Sequence, residues 1–264
     1  MDFMTFIGLF GGLGLYSYGI IEGDSVKAFL NAHGILLVCG GTIAVTLIYC
    51  PAHMFVGVLQ ASMKLFFPTK LMKTEKLIDK ICELAKKARM QGFDALDKDI
   101  SSIKDDGFFL RAYHTCLTSP DEMSARNAIE REVIQLASRH KEVIAVYKVL
   151  GMVAPMMGLM GTVIGIVSVL KNISDPSKVG SSMGVAMSTV FYGILLAGLF
   201  FNPMAGKLRV RSGMEMLTKE IILEGLLAIQ FSRLTPTELE RRLVVYLQSR
   251  SIAKVLKKSE GAAI

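Results

Sequence analysis

APMMGLMGTVIG, residues 154–165, holds one proline, three glycines and one threonine, and carries no charge. The charge-free run around it reaches from 149 to 170, and three more lie at 3–21, 29–50 and 180–202. Each is about long enough to cross a hydrocarbon core of roughly 30 Å as a helix. Composition agrees: 52% of the 264 residues are hydrophobic while 20% are charged, so the two populations are segregated along the chain. The predicted fold is an all-α membrane protein with four transmembrane helices, a large helical cytoplasmic insert between helices 2 and 3, and a helical C-terminal tail.

Span 1 is expected to stay in the mature protein, because its leader holds Asp2 and no Lys or Arg, and no small-x-small cleavage site precedes Glu22. The 1–2 and 3–4 connections contain only Lys27, Lys171 and Lys178, and the other 27 of the 30 Lys and Arg lie between spans 2 and 3 or after span 4. Both termini and the insert are therefore expected in the cytoplasm. The divisions read from this are 1–50, spans 1 and 2 with a short periplasmic loop; 51–148, a cytoplasmic helical domain; 149–203, spans 3 and 4 as candidate channel lining; and 204–264, cytoplasmic helices. The same charge asymmetry, with anionic headgroups, accounts for the net charge of +7 without nucleic acid. Cys39, Cys50, Cys82 and Cys116 show no CxxC spacing, and neither a disulfide nor a metal site is expected.

In LMKTEKLIDKICELAKKARMQGF (71–93), Leu77, Ile78, Ile81, Leu84, Ala85 and Ala88 recur at helical spacing and Gly92 supplies a stop. In SPDEMSARNAIEREVIQLASRHKEVIAVYKVLG (119–151), Ser119, Pro120 and Glu122 read as cap, first position and capping-box partner. No helix breaker follows before Gly151, so this helix is expected to run into span 3; it can couple membrane to cytoplasm or serve as scaffold. After span 4, residues 207–231 continue as helix. A last helix starts with Thr235 as cap, Pro236 first and Glu238 third, and the final dozen residues are expected to fray.

Spans 3 and 4 each have a small-residue face, Gly158, Gly161, Thr162, Gly165 and Ser168 on one, and Ser182, Ala186, Thr189, Gly193 and Ala197 on the other. Such faces allow close helix approach in lipid, and ordinary packing explains the glycines as well as a pore does. Thr162, Ser188 and Thr189 are the main polar groups midway along these spans. They either bond their own helix or line a narrow polar path. No span has a carboxylate, and His33 and His53 lie at the ends of span 2. If protons or sodium move here, the titrating carboxylate comes from another chain. Pro155 and Pro203, at matching depths on spans 3 and 4, are candidate hinges. There is no Walker motif, GxSxG, HExxH or triad, so an enzyme and a bound cofactor are not expected.

Four stretches resemble the MotA/PomA flagellar stator subunits within the wider MotA/TolQ/ExbB group: ARMQGFDALD (88–97), VAPMMGLMGTVIGIV (153–167), AMSTVFYGILLAGLFFNPMAGKL (186–208) and EGLLAIQ (224–230). The resemblance implies a homo-pentamer in the bacterial inner membrane around two helices of a MotB-like, peptidoglycan-binding partner that supplies the ion-carrying aspartate. Flow of H+ or Na+ would turn it against the rotor protein FliG in flagellum-dependent motility and chemotaxis. By matching motif, Arg89 and Asp97 fall at rotor-contact positions with Lys86 and Lys87 beside them. Pro155 and Pro203 match the channel prolines, and Thr162 and Thr189 match the lining hydroxyls, with Ser188 adjacent. Asp97 is shorter than the Glu common there, and FSRLTP replaces a glycine-containing turn. A TolQ/ExbB-like energiser of an outer-membrane system is the alternative, disfavoured by two leading spans and the EGLLAIQ tail.

Overall fold

A helix-only architecture follows from the segregated apolar and charged periodicities, and every regular element among the described residues is helical. The computed structural model describes residues 3–23, 26–51, 54, 57–58, 72–103, 106–232 and 234–247. In chain order the elements are α1 (Phe3–Glu22), α2 (Val26–Phe29), α3 (Ala32–Tyr49), α4 (Thr74–Gln91), a 3-10 turn (Phe93–Leu96), α5 (Asp97–Ser101), α6 (Phe108–Thr118) and α7 (Glu122–Lys171). They continue with α8 (Pro176–Leu195), a π-helical segment (Leu196–Phe201), α9 (Asn202–Leu227), a second π segment (Ala228–Ser232) and α10 (Pro236–Val244). Four stretches are long and apolar enough to cross a membrane: Met4–Glu22, Ala32–Tyr49, Glu122–Lys171 and Pro176–Ser232. The frayed end expected over the last dozen residues, and His53, lie outside the described residues.

The chain forms two compact units, one made of Met1–Thr69 and His140–Val210, the other of Lys70–Arg139 and Arg211–Ile264. In the first, α3 buries Gly34, Val38, Thr42, Thr46 and Cys50, a stripe at four-residue spacing. Its polar groups are satisfied along the helix: Thr42 Oγ1 donates to Val38 O at 2.6 Å, Thr46 Oγ1 to Thr42 O at 2.7 Å, and Cys50 Sγ to Thr46 O at 2.9 Å. Back-bonding of this kind lets hydroxyls face a tightly packed, water-poor interior.

Two details of the long helices depart from the sequence expectation. The cap of α7 is Asp121, whose carboxylate accepts from the Ser124 N–H at 3.1 Å; Ser119 instead closes α6, its hydroxyl donating to Thr115 O at 2.7 Å. Asp121 wins because it stands directly before the first turn, where its carboxylate reaches the third helical N–H, whereas Ser119 lies two residues further out. Span 4 and the following helix are not one α-helix, since residues 196–201 widen into a π segment in which the Asn202 N–H reaches back five residues to Ala197 O. Pro203 follows at once and has no N–H to continue the ladder, so the departure from α-helix sits where a donor is missing. By contrast Pro155 lies inside α7 without ending it.

In the second unit the expected α4 stripe is the core: Leu77, Ile78, Ile81, Leu84 and Ala85 are each at most 2% exposed, and Ala88 packs against them. Helix α9 meets α4 closely at Gly225, where a Cβ would lie 2.7 Å from Ile81 Cγ2. Beside that contact, Glu224 is held by Arg126 at 2.5 Å and Arg242 at 2.9 Å. Lys219, 3% exposed, is paired with Asp106 at 2.5 Å and lies 4.4 Å above the Phe108 ring. The capping box of α10 forms as the sequence predicts, with Thr235 Oγ1 accepting from the Glu238 N–H and Glu238 Oε2 accepting from the Thr235 N–H.

Burial pushes the Glu224 carboxyl up, but hydrogen bonding and charge from Arg126, aided by Arg242, more than offset this and hold it below the usual carboxylate range. The folded value is therefore the lower one, so its stabilising contribution is full above the unfolded value of about 4.3 and is lost as pH falls through the folded value. Glu224→Gln is expected to destabilise the protein at pH 7 by about 2–3 kcal/mol, below the usual cost of breaking a fully buried pair because Arg126 keeps Glu122 and Glu130 nearby and Arg242 is half-exposed. Thermal melting of the detergent-solubilised protein at a series of pH values checks this. The gap between parent and variant should be widest near neutrality and close as the pH drops into the acid range.

Candidate functional site: the glycine seam and a charged surface

Within the first unit α7 and α8 are pressed together by the glycines that the small-residue faces single out. A Cβ on Gly158 would lie 2.8 Å from Thr189 O, on Gly161 2.6 Å from Thr189 Cβ, and on Gly165 2.5 Å from Ala186 Cβ. From the other side, a Cβ on Gly193 would lie 2.6 Å from Ala154 O and 3.1 Å from Pro155 Cα. Three of these five atoms are backbone and the other two are Cβ atoms, and no rotamer change can move any of them away. Further along, Ser168 Oγ and Ser182 Oγ share a hydrogen bond at 3.0 Å, which carries a polar contact along the same seam.

The seam places the three expected hydroxyls differently. Thr189 Oγ1 donates to Ala186 O at 2.9 Å, and Thr162 Oγ1 donates to Gly158 O at 3.1 Å while lying 3.4 Å from the same Ala186 O. Thr162 and Thr189 are thus brought to one carbonyl from opposite helices. Ser188 Oγ donates to Val185 O at 3.1 Å and faces Gly34 of α3, where a Cβ would lie 3.5 Å from it. Ser188 and Thr189 are each 1% exposed. This array contains hydroxyl and carbonyl oxygens and no ionisable group, so it has oxygen lone pairs to offer but cannot itself take up a proton near neutral pH.

The prolines frame the seam: Pro155 lies against Gly193, and Pro203 begins just past the π segment. Asn202 sits over Gly151, where a Cβ would meet its Oδ1 at 2.2 Å. Gly151 is also the residue whose carbonyl Pro155, four positions on, leaves without its helical donor. His33 is exposed, and its N–H donates to Asn31 Oδ1 at 3.0 Å.

In the second unit, Gly92 ends α4 with φ of 88°, a left-handed value suited to glycine, and turns the chain into the segment carrying Asp97. Lys86, Arg89 and Asp97 are exposed. Lys87 is instead paired with Asp99 at 2.5 Å, both side chains being about a third exposed. Asp97 lies 3.7 Å from His114 Nε2. The Tyr113 hydroxyl anchors this turn, 3.2 Å from both Phe93 O and Asp94 O. Arg89 contributes to lowering the Glu238 carboxyl, after the hydrogen bonds from Thr235. Sequence reasoning found the exposed charges but not their partners, because a surface stripe does not show which opposite charge a distant helix brings to it.

Alanine at Gly158 or Gly193 is expected to weaken the seam by about 1–3 kcal/mol, the usual range for overpacking, whereas Gly180→Ala should be neutral because nothing lies within 4 Å of its Cβ direction. Resistance of the purified protein to unfolding in mixed micelles measures all three. Equal behaviour of the three variants would contradict the seam.

Residues 101–221 match the family model described as the MotA/TolQ/ExbB proton channel family. The chain is 35% identical over 231 residues to the chemotaxis protein PomA of Vibrio alginolyticus, covering 87% of this chain and 89% of the relative. It is 30% identical over 250 residues to motility protein A of Treponema pallidum, covering 95% of each. Among solved structures it is similar to the flagellar MotAB stator complex from Bacillus subtilis, with a TM-score of 0.87, 27% identity, and coverage of 95% of this chain and 98% of that one. A C. jejuni MotAB structure shares the fold with a TM-score of 0.86 at 22% identity, covering 94% and 97%.

Proposed function

The chain belongs to the MotA/TolQ/ExbB proton channel family, on its MotA/PomA motility branch, and we propose that it is the channel-forming, torque-generating subunit of a flagellar stator. Five copies surround two transmembrane helices of a MotB-like, one-span, peptidoglycan-binding partner in the bacterial cytoplasmic membrane. Both termini and the 51–148 insert face the cytoplasm, with anionic lipid at the basic inner boundary. That the Bacillus subtilis relative was solved as a MotAB complex supports the partner. H+ or Na+ moves along the partner's aspartate and this chain's seam, and the pentamer turns against the rotor protein FliG.

The observation that carries this reading is the meeting of Thr162 and Thr189 at the Ala186 carbonyl, between the stretches 149–170 and 180–202, which hold no Asp, Glu, His, Lys or Arg. Oxygens so placed can lower the cost of moving a cation through a dry region, while the charge change has to come from a carboxylate on another chain. A unit charge crossing 100 mV releases about 2.3 kcal/mol. That scale fits a shift between packed helices, with Pro155 and Pro203 as the points where the ladder is already weakened, and is far below unfolding. On the cytoplasmic side Arg89, Asp97 and Lys86 present charges of both signs, and Lys87, tied to Asp99, supports them. Exposed pairs are each weak and are screened beyond about 8 Å at physiological salt, so contact with the rotor uses several together.

In a host lacking its own stator, co-expression with a one-span, Asp-bearing partner should restore ion-dependent swimming. Thr162→Val and Thr189→Val keep shape and remove the hydroxyl, and each should lower speed without lowering the amount of protein in the membrane; parental speed in both would remove the ion path. Reversal of both charges, R89E with D97K, should reduce torque at high load and be partly restored by complementary changes in FliG. Tethered-cell rotation measures it, and unaltered torque in the double reversal would remove the rotor contact.

A further inference from the structure

We propose that Tyr192 is a positioning residue for the hydroxyl seam, its phenol fastening the chain just ahead of α3 so that Gly34 closes over Thr189 and Ser188. The proposal rests on the reading of that seam as the ion path. The Tyr192 oxygen accepts from the Asn31 N–H at 3.1 Å, and its hydroxyl donates to the Phe29 carbonyl. Asn31 is in turn the cap of α3, its Oδ1 accepting from the N–H groups of His33 at 3.0 Å and Gly34 at 3.2 Å. Gly34 is the next point of contact: a Cβ there would lie 3.1 Å from Thr189 Cγ2, 3.5 Å from Ser188 Oγ and 3.5 Å from the Tyr192 ring. One phenol, one cap and one glycine therefore connect the turn between α2 and α3 to the Thr189 methyl and the Ser188 hydroxyl.

On α8, Tyr192 follows Thr189 by three positions and Ser188 by four, so all three share the face that meets α3. The protons of Thr189 and Ser188 are directed to carbonyls of their own helix, leaving oxygen lone pairs as the groups able to meet a cation. The seat of Gly34 sets the space in which such a meeting takes place. Phe191 packs edge-on against Phe29 at 5.0 Å and Tyr16 at 6.0 Å, an apolar grip on the same turn that makes no hydrogen bond to it. That separates the two contributions by residue.

Tyr192→Phe keeps the ring and removes both hydrogen bonds, and Phe191→Leu loosens the ring contacts while leaving the phenol. In cells where the chain and its one-span partner drive rotation, speed is recorded against external pH and against sodium. Y192F should shift the ion level giving half-maximal speed by at least about fivefold, the change expected from one net hydrogen bond being the lower bound when two are removed, with maximal speed retained and F191L unshifted. Hydrogen–deuterium exchange of the purified complex should quicken over residues 30–36 in Y192F. An unshifted Y192F, or an equal shift in both variants, overturns the proposal. If parental rotation depends on neither ion, the ion-path reading fails instead, and unchanged exchange over 30–36 in Y192F would then show that Tyr192 does not position Gly34 either.

Discussion

Two helices in lipid gain nothing from hiding apolar side chains from each other, because the surrounding tails are equally apolar; what holds them is contact close enough to accumulate dispersion. Here that requirement is met by leaving out side chains. Gly158 gives way to the Thr189 carbonyl and Gly193 gives way to the Ala154 carbonyl, so each helix receives a backbone ridge of the other. Approaches of this kind bring Cα–H groups to carbonyl oxygens, a second and weaker attraction. The hydroxyls of Thr162 and Thr189 are arranged around the fit. Thr162 reaches Ala186 O only because the helices are this near, and Gly34 can cover Thr189 only because α8 presents a regular surface to it. A seam built from backbone has few ways to adjust, so movement within it takes the form of small shifts of whole helices.

The second unit solves its packing with charge as well as with apolar side chains. Lys219 is buried over Phe108 and bound to Asp106, whose burial alone would raise its carboxyl but whose bonds to Lys219 and the Phe108 N–H keep it below the usual range. Arg126 and Arg242 converge on Glu224 from α7 and α10. Buried ions are weak sources of stability but costly to leave unpaired, so such contacts restrict which helices can be neighbours. The exposed charges at Lys86, Arg89 and Asp97 stand on a base fixed in that way, with Tyr113 pinning the turn between them.

What the sequence revealed depended on the length scale of the signal. Charge-free windows and the α4 stripe are properties of 18 or so neighbouring residues, and they located all four long apolar helices and the core side of α4. The glycine face of span 3 was equally visible, since its spacing is a local matter, and the partners it meets on span 4 followed the same small-residue pattern. Thr162, Ser188 and Thr189 each bond a carbonyl of their own helix, one of the two outcomes their sequence allowed; what was not legible is the neighbour each meets, since only the tertiary arrangement brings Thr162 to Ala186 O and Ser188 to Gly34. Lys219 reads as one more surface cation, because Asp106 lies 113 positions away. Ser119 is not the cap of α7 because Asp121, two residues nearer the helix, competes for the same N–H groups, and a sequence pattern does not fix a helix start to within two residues.

The π segment at 196–201 has a consequence for register. An α-helix advances about 100° per residue, and a π turn accommodates one residue more than an α turn, so side chains after it are rotated by about that angle from where an unbroken α count would put them. Counted with that offset, Ala205 comes back into line with Ala197, so the face that runs through Ala186, Thr189, Gly193 and Ala197 continues at Ala205. Ala205, with Leu208 beside it, joins the cluster around Tyr147 and Leu150 of α7. One added residue thus keeps a single polypeptide run against the same neighbouring helix past the proline. It also gives a way to relate aligned sequences: a relative lacking one residue in this stretch would keep the seam and lose the phase beyond it.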